Sequence, residues 1–597
     1  MTKPTVVCDV ECYPNYFLVG FKNVDTGEVK MFRTQDKLRP VQIQMARDII
    51  RNSRTVTFNG RNYDFPMIYY AFTGATVAEL KDCSDDIIVH GLKFWDVEKK
   101  RGFKLPRDKV EHWDLIDVAF GKASLKIYGG RIHSKRMQDL PFDPGSTLSA
   151  SQIEELEDYW LNDLQTTIDL YRDMKNELAL REAMTAEYGI DLMSKSDAQI
   201  AEAIIKDGLA KRGINAYRPE GRRGDKFKYV APPWLQFKSD KLNEVLRRVT
   251  TVDYVVSEKG AVELPPSLEG LLVSVGNGAY RMGIGGLHSS EEKVTHYADE
   301  NVMLVDRDVT SYYPSIILGL GLYPDHLGGQ FLDIYRDIYT RRLAAKAAGD
   351  KVVADTLKIV LNGSFGKFGS KWSILYSPEL LIQVTITGQL ALLMLIEMIE
   401  KLSPDTQVVS ANTDGIVIKI DRAMEPLLNM TVSVWERITG FNTEATEYVA
   451  LHSRDVNAYV AIKPNLDVKT KGPFGFDGLH KNPQNMVCND AAINYLLYGI
   501  DPEHTVRACN DIKRYISIRQ VKGGAVTDQG EYLGKAVRWY HSTDQPPGCI
   551  KYMENGNLVP DTEGCKPLME LPELVPADLD YEWYVINSHK ILMELGV

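Results

Sequence analysis

The sequence predicts a multidomain chain of mixed α/β and α+β class, and three observations carry that expectation. At 597 residues the chain is too long for one hydrophobic core, and a chain of that length divides into about three to five domains. Near the N-terminus, β-rich runs (TVVCDVECYPNYFLVGF and RTVTF) lead into a strong helical period, SQIEELEDYWLNDLQTTIDLYRDM. From Leu304 onward a buried-strand pattern, a helical hairpin, a long apolar helix and a β-hairpin follow one another.

The composition, 44% hydrophobic and 25% charged, is that of an ordinary globular protein. No apolar run is read as approaching membrane-spanning length, and MTKPTVVCDVEC lacks the layout of a secretory signal, so no membrane association is expected. Seven scattered cysteines with no CxxC pair argue for reduced thiols in a cytoplasmic setting rather than disulfides or structural zinc. The net charge of −11 hides local contrast: residues 331–372 carry eight Lys/Arg against four Asp/Glu, and 551–597 carry three against nine. Such a balance permits a basic groove for phosphates without demonstrating one.

In the first strand Asp9 and Glu11 stand two residues apart and project to the same side. Like charges that close repel unless a cation lies between them. The second strand runs into NGRNYDF and places Asn59 and Asp64 at a strand-to-helix junction. The long helix that follows has Ser149 or Ser151 as its cap, and Tyr159 and Asp163, four apart, share a face.

This order, DxE, then Nx3YD, then Yx3D, resembles the three motifs of the DEDDy 3′–5′ exonucleases over residues 1–185. The resemblance implies an RNase H-like fold and two-metal hydrolysis in which Asp9, Glu11, Asp64 and Asp163 hold two Mg²⁺ ions and Tyr159 orients the attacking water. It further implies that Asn59, Ser124 and Leu125 contact a single-stranded 3′ end. Lys135 is the candidate basic residue near the scissile phosphate, with Arg136 as its competitor.

Residues 186–300 contain a helical run, a basic Pro-punctuated stretch (RPEGRRGDKFKYVAPPW) and turn-rich strands ending in AYRMGIGGLHSSEEK. Gly283, Gly285 and Gly286 are not followed by the Lys-Ser/Thr of a nucleotide-binding loop, so a tight turn near a partner is expected. LVDRDVTSYYPS then reads as a buried strand delivering Asp308 to a turn that exposes Ser311, Tyr312 and Tyr313. The helical hairpin has its tip near Gly349–Asp350 and carries Arg341, Arg342, Lys346 and Lys358. Lys358 and Asn362 share a face near its end, with Phe365 and Gly366 following in period. LIQVTITGQLALLMLIEMIEKL reads as a core helix, and Asn-Thr-Asp-Gly at 412–415 joins two strands as a hairpin turn.

Three stretches in order, DVTSYYPSI at 308–316, Kx3NGxFG at 358–366 and NTDG at 412–415, resemble motifs A, B and C of the family B DNA polymerases (DxxSLYPSI, Kx3NSxYG and YxDTDS). The same family carries the exonuclease motifs upstream. The resemblance implies a right-hand polymerase after the exonuclease domain. The layout is 1–185 exonuclease, 186–300 linker and start of the palm, 301–330 palm, 331–370 short two-helix fingers, 371–455 palm, and 456–597 thumb and C-terminal region. Asp308 and Asp414 become the ligands of two Mg²⁺ (or Mn²⁺) ions, with Val309 lending a backbone carbonyl. Ser311, Tyr312, Lys346, Lys358 and Asn362 meet the dNTP, with Arg342 as runner-up for the Lys346 role. Tyr313 becomes the sugar-excluding gate and Phe365 packs on the nascent base pair. Gly286, Gly366, Lys367, Tyr459, Lys469 and Lys471 meet DNA, and Tyr280 is displaced from the Gly pair of the expected YxGG motif.

Two positions depart from the pattern. Asn412 stands where an aspartate is expected, and Asn457 where the KxY motif has its lysine. Asp306 could restore charge for the first, and Arg454 or Lys463 the phosphate contact for the second. Only 50 residues separate Asp308 from Lys358, and 56 separate Lys358 from Asp414. That leaves no room for the insertion with which protein-primed phage polymerases dock the terminal protein, and little for their second insertion after motif B. The expectation is therefore a compact phage or mobile-element enzyme that extends nucleic-acid primers on DNA templates with dNTPs and displaces strands weakly. KILMELGV carries no glutamine-led clamp-binding peptide, so processivity rests on the thumb or a replisome partner. A nuclease whose second half merely holds DNA would leave Asp308, Lys358, Asn362 and Asp414 without a role. Against a reverse transcriptase or RNA polymerase sharing the palm, the exonuclease motifs and Tyr313 argue against ribonucleotide use.

Overall fold

The computed structural model describes residues 3–106, 110–220, 222–475 and 478–597. It is a mixed α/β protein with two compact units, one formed by 1–196, 476–488 and 503–586, the other by 197–475, 489–502 and 587–597. The segment 456–597 is thus shared between both.

The first unit is built on a five-stranded sheet of β1 (Thr5–Tyr13), β2 (Tyr16–Asn23), β3 (Val29–Thr34), β4 (Arg54–Thr57) and β5 (Glu111–Asp114), in the order β3-β2-β1-β4-β5. The first three strands are antiparallel, and β4 and β5 join in parallel. Alternation along β1 sorts its side chains: Val6, Cys8, Val10 and Cys12 enter a core with Phe65, Met67 and Ile68. Val7 and Tyr13 turn the other way, toward Leu156, Trp160 and Leu164. Asp9 and Glu11 share that second face. Two helices cover that face, α2 (Leu125–Arg131) and α3 (Ala150–Asp173), while α1 (Asp64–Ala71) packs on the first face and carries Asp64 at its N-terminal end. Ser149, rather than Ser151, caps α3, in a capping box with Gln152. Gly20 lies opposite Asp9, and a Cβ there would strike the Trp160 ring, so glycine lets α3 lie close over the carboxylates.

In the second unit β6 (Lys226–Phe227) pairs with β7 (Tyr254–Val255). The main sheet has seven strands: β8 (Leu272–Val275), β9 (Gly278–Arg281), β10 (His288–Ser289), β12 (Val302–Val309), β13 (Gln407–Asn412), β14 (Gly415–Asp421) and β15 (Thr443–Tyr448). Their order is β15-β12-β14-β13-β10-β9-β8. A four-stranded sheet, β11-β16-β17-β18, is made by β11 (Glu292–Tyr297), β16 (Ala450–Asp455), β17 (Ala458–Ile462) and β18 (Val468–Lys471). Helices α4 (Tyr312–Gly319), α5 (Gln330–Ala347) and α6 (Lys351–Lys367) follow β12. The α5–α6 hairpin turns at Gly349, whose φ of 73° suits glycine, and Asp350 caps α6 by accepting the Val353 N–H (3.1 Å).

Two sequence expectations are corrected. Helix α7 (Pro378–Ile399) is, by length and composition, apolar enough to cross a membrane, contrary to the reading that no run is long enough; 78% of its most apolar window is buried, and it acts as the core helix. Tyr312, expected to be exposed, is 4% exposed. Its hydroxyl donates to the Gly388 carbonyl of α7 (2.6 Å), and its ring fits against Gly388, which has no side chain to oppose it.

The chain returns to the first unit with an antiparallel sheet of β19 (Ser517–Thr527), β20 (Tyr532–His541), β21 (Ile550–Tyr552) and β22 (Cys565–Pro567). Arg538 of β20 is fully buried and donates to the carbonyls of Ser134 (2.9 Å), Lys135 (3.1 Å), Leu568 (2.7 Å) and Met569 (3.1 Å). A guanidinium buried that deeply needs its donors satisfied, and four carbonyls from two distant segments do so.

Candidate active sites

The first unit gathers Asp9, Glu11, Asp64 and Asp163. Asp64 opens α1, and its orientation is fixed from the neighbouring strand. The buried Asp114 carboxylate accepts the N–H groups of Asn59 (2.7 Å) and Arg61 (2.9 Å), which holds Asn59 at a φ of 67° and sets the turn into α1. Trp160 Nε1 donates to the Asp9 carbonyl (3.3 Å) and ties α3 to β1. Burial, then the Asp163 carboxylate, pushes Asp9 up to about 7. Burial and Asp9 raise Glu11 well above the usual carboxylate range, and burial, Asp9 and Asp114 do the same for Asp64. Burial with Asp163 raises the Tyr159 phenol, which keeps its proton.

Sequence reasoning missed Lys126. Its ammonium contacts Asp163 Oδ1 and lies 4.3 Å from the centroid of the Tyr159 ring. The available signal was its place beside Ser124 and Leu125 in SLKIY. Ser124 caps α2 by accepting the Ile127 N–H (3.3 Å), while the half-buried Leu125 packs against the edge of the core. Lys135 is exposed, whereas Arg136 pairs with Asp158 (3.0 Å). The donor chemistry suits divalent cations, because the carboxylates repel one another, one ammonium answers only part of their charge, and Asp64 Oδ1 is buried with no hydrogen-bond partner; among the described residues, though, no three of these side chains are gathered as a metal cage.

The second unit's site lies on one face of the main sheet. Cross-strand register lines up Glu444, Asp308, Gly415 and Asn412 in one row over β15, β12, β14 and β13, and directly opposed residues share a face. Asp308 and Asp414 both line a cavity of about 400 Å³ with Asp306, Tyr459, Lys469 and Lys471. The Val309 N–H donates to the Asp414 carbonyl (2.8 Å), which fixes the hairpin turn to the end of β12. A Cβ at Gly415 would fall on Asp308 Oδ1, so the turn glycine makes room for that carboxylate.

Lys469 reaches Asp306 Oδ2 (3.0 Å) and Asp308 Oδ2 (3.5 Å), and the Tyr448 hydroxyl donates to Asp306 Oδ2 (2.6 Å). Burial disfavours the Lys469 charge, but Asp306 and Asp308 outweigh it and hold the ammonium above its ordinary range. Burial and Asp306 push Asp308 up to about 6, and burial raises Asp414. The Asp306 charge is thus answered by Lys469 rather than offered in place of the aspartate missing at 412. The Asn412 amide donates to Val456 and Asn457 and accepts from Thr413 (3.1 Å). Asp308, Asp414 and the Val309 carbonyl give a hard oxygen donor set that suits Mg²⁺ or Mn²⁺. Among the described residues, in this unit as in the first, no cluster of three His, Cys, Asp or Glu is poised as a metal cage.

A second cavity, about 510 Å³, adjoins the same aspartates and is lined by Ser311, Tyr313, Arg342, Lys346, Lys358, Asn362, Phe365 and Glu444. Tyr312 also lines it, although its ring points into the core. Lys358, Asn362 and Gly366 are exposed on one face of α6, as their spacing predicts. Phe365 packs on the Tyr313 ring (centroids 4.2 Å apart), and the Tyr313 hydroxyl donates to the Gly285 carbonyl (3.0 Å). Arg342 contacts Ser311 Oγ and Lys346 pairs with Glu444. The glycine turn is placed by Gln389 of α7, which exchanges two hydrogen bonds with Gly283. Gly286 lies so close to Thr413 that a Cβ would clash. Lys367 pairs with Glu202 (3.6 Å), and Tyr459 sits opposite Lys471 on β17 and β18.

No protein-family model matches the chain. The chain is similar to DNA polymerase 1 of Aeropyrum pernix, with 23% identity over 466 residues that make up 73% of this chain and 44% of that protein. The chain therefore spans under half of that relative's length. A comparison with the family B DNA polymerase of the hyperthermophilic archaeon Pyrobaculum calidifontis gives a TM-score of 0.42 at 13% identity, over 100% of this chain and 78% of the other.

Proposed function

We propose that the chain is a template-directed DNA polymerase that adds dNTPs to a primer 3′ end and proofreads by 3′–5′ hydrolysis. The observation that carries this reading is the convergence of Asp308, Asp414, Lys358, Asn362 and Tyr313, scattered from 308 to 414 in sequence, on one cavity. The similarity to a protein named DNA polymerase 1 supports it.

In this reading Lys358, Lys346 and Arg342 neutralise the triphosphate, and Asn362 supports it from the Lys358 face of α6. Tyr313, backed by Phe365 and anchored on Gly285, closes the floor under the sugar and excludes a 2′-hydroxyl. Asp308, Asp414 and the Val309 carbonyl would hold two Mg²⁺ ions, which supply activation of the 3′-hydroxyl and neutralise charge on the phosphates. Tyr459, Lys469, Lys471, Gly286, Gly366 and Lys367 border the DNA, although Lys469 and Lys367 must first leave or share their carboxylates.

In the exonuclease, Asp9, Glu11, Asp64 and Asp163 would hold the second pair of ions, and the protonated Tyr159 positions water. Asn59, Ser124 and Leu125 guide the 3′ strand. Exposed Lys135 suits the phosphate better than Arg136, which Asp158 occupies. The β3-β2-β1-β4-β5 order is what an RNase H-like domain would have. The remaining assignments follow from the same reading: a palm on the seven-stranded sheet, fingers at α5–α6 and a thumb within 456–597. So do a phage or mobile-element source, action in the cytoplasm, nucleic-acid rather than protein primers, and a replisome partner for processivity.

The test is a labelled primer–template with Mg²⁺ and four dNTPs. Extension is expected, and a wild-type chain that fails to extend overturns the reading. Without dNTPs, a 3′-labelled single strand should shorten.

A further inference from the structure

We propose that Glu444 is a stand-in for the nucleotide's phosphates: it occupies Lys346 until a triphosphate displaces it. The inference rests on the polymerase reading of the cavity and goes beyond it by assigning a residue that the sequence motifs do not contain.

Glu444 lies directly across β12–β15 from Asp308 and on the same face. Two carboxylates opposed on a ladder repel, so a glutamate there has a cost unless a cation answers it. Lys346 of α5 answers it, and the Thr310 hydroxyl also donates to Glu444 Oε1 (3.3 Å). Lys346 draws the Glu444 carboxyl below its usual range. Glu444 and Lys346 both line the cavity that holds Lys358, so the pair sits where phosphates would enter.

Both side chains are about half exposed, and an ion pair that exposed adds little to fold stability. Its effect lies in binding. One carboxylate is a weak competitor for a ligand with three phosphates and a stronger one for a ligand with fewer. Glu444 therefore raises the charge a ligand must bring to take Lys346, and it can reclaim Lys346 as pyrophosphate leaves.

The probe is inorganic tripolyphosphate, titrated calorimetrically into the full chain without divalent cations. Glu444→Gln should bind it about threefold to fivefold tighter than wild type, the scale of one exposed ion pair. Lys346→Met should bind it more weakly, and in that background the gain from Glu444→Gln should collapse. Glu444→Ala should act in the same direction, with thermal denaturation confirming a folded chain. Unchanged or weaker binding in both Glu444 variants, or a gain undiminished in Lys346→Met, overturns the inference. Primer extension by wild type separates the two readings: extension without the tightening defeats only the Glu444 role. Tightening without extension supports an anion seat gated by Glu444 and defeats the polymerase reading.

Discussion

Asn412 Nδ2 lies 3.2 Å from Asn457 Oδ1 and donates to the Val456 carbonyl (2.7 Å), so the two positions that depart from the resembled motifs touch each other. An aspartate and a lysine would be expected at these places. The chain carries two neutral amides instead, and the exchange keeps the contact while removing both charges. Asn412→Asp alone sets a carboxylate against a carbonyl and an amide oxygen, with no donor between them. Asn457 is exposed, so the loss should be about 0.5–1.5 kcal/mol of stability, the net scale of one hydrogen bond, with reduced extension. Adding Asn457→Lys should recover most of both. Melting temperatures and extension rates for the four variants check this, and strictly additive losses would sink it.

Asp308 and Gly415 face each other so closely that the hairpin glycine has a steric role distinct from its turn geometry. Gly415→Ala should push the Asp308 carboxylate aside and remove most extension while leaving exonuclease activity intact. Asp414→Asn should give near-complete loss of extension with the same selectivity. Asp9→Ala with Glu11→Ala should do the reverse, removing 3′-end shortening and sparing extension. A single variant that lost both activities with an unchanged melting temperature would contradict two separate sites.

Lys126 is the ammonium that contacts Asp163 in the first unit's acidic cluster. Lys126→Met leaves the four carboxylates with one fewer counter-charge, and removing one partner of a mostly buried pair is costly. In EDTA the variant should lose about 3 kcal/mol or more by that principle. Saturating Mg²⁺ should restore much of the loss, because a divalent ion supplies the missing positive charge. Thermal denaturation with and without Mg²⁺ reads this out, and a metal-independent loss would rule it out.

The parts legible in the sequence are those with a short-range signature. The period of two put Asp9 and Glu11 on one face, the period of 3.6 aligned Lys358 with Asn362, and Asn-Thr-Asp-Gly marked the hairpin that carries Asp414. What stayed hidden depends on contacts between distant segments. The sequence reads Lys469 as a DNA-facing cation, and only the fold shows that β18 also lays it on Asp306, 163 residues away. Tyr312 sits in a polar motif, and nothing local shows that Gly388 opens a slot for its ring. Arg538 is sealed in part by the Ser134 and Lys135 carbonyls, more than 400 residues upstream, a contact no local pattern shows. Helix α7, read in the sequence as a core helix, is buried as expected, although its apolar length is also that of a membrane span.

Tyr313 is held at both ends, by Phe365 against its ring and by Gly285 at its hydroxyl. A side chain fixed that way can refuse an extra hydroxyl by shape. Tyr313→Ala should raise incorporation of rNTPs relative to dNTPs by about tenfold or more, the scale at which a pocket discriminates by one small group. Tyr313→Phe removes the bond to Gly285 and should change the ratio much less. Competition assays with matched rNTP and dNTP check it, and equal ratios in Tyr313→Ala and wild type would remove the gate.

His452 is buried, and its Nδ1 lies 3.0 Å from Thr295 Oγ1, whose hydroxyl donates to the Leu595 carbonyl (3.0 Å). Burial lowers the imidazole from 6.5 to about 4. As pH falls through 6.5 the unfolded chain takes up a proton that the folded chain refuses until about 4, so stability is lost across that window. A shift of that size corresponds to roughly 3 kcal/mol at pH 4. His452→Gln keeps a polar group beside Thr295 but does not titrate, so its stability should fall less steeply between pH 7 and 4 than that of wild type. Urea unfolding of both proteins at several pH values measures the difference. Parallel curves would show that His452 protonates as readily in the folded chain as in the unfolded one.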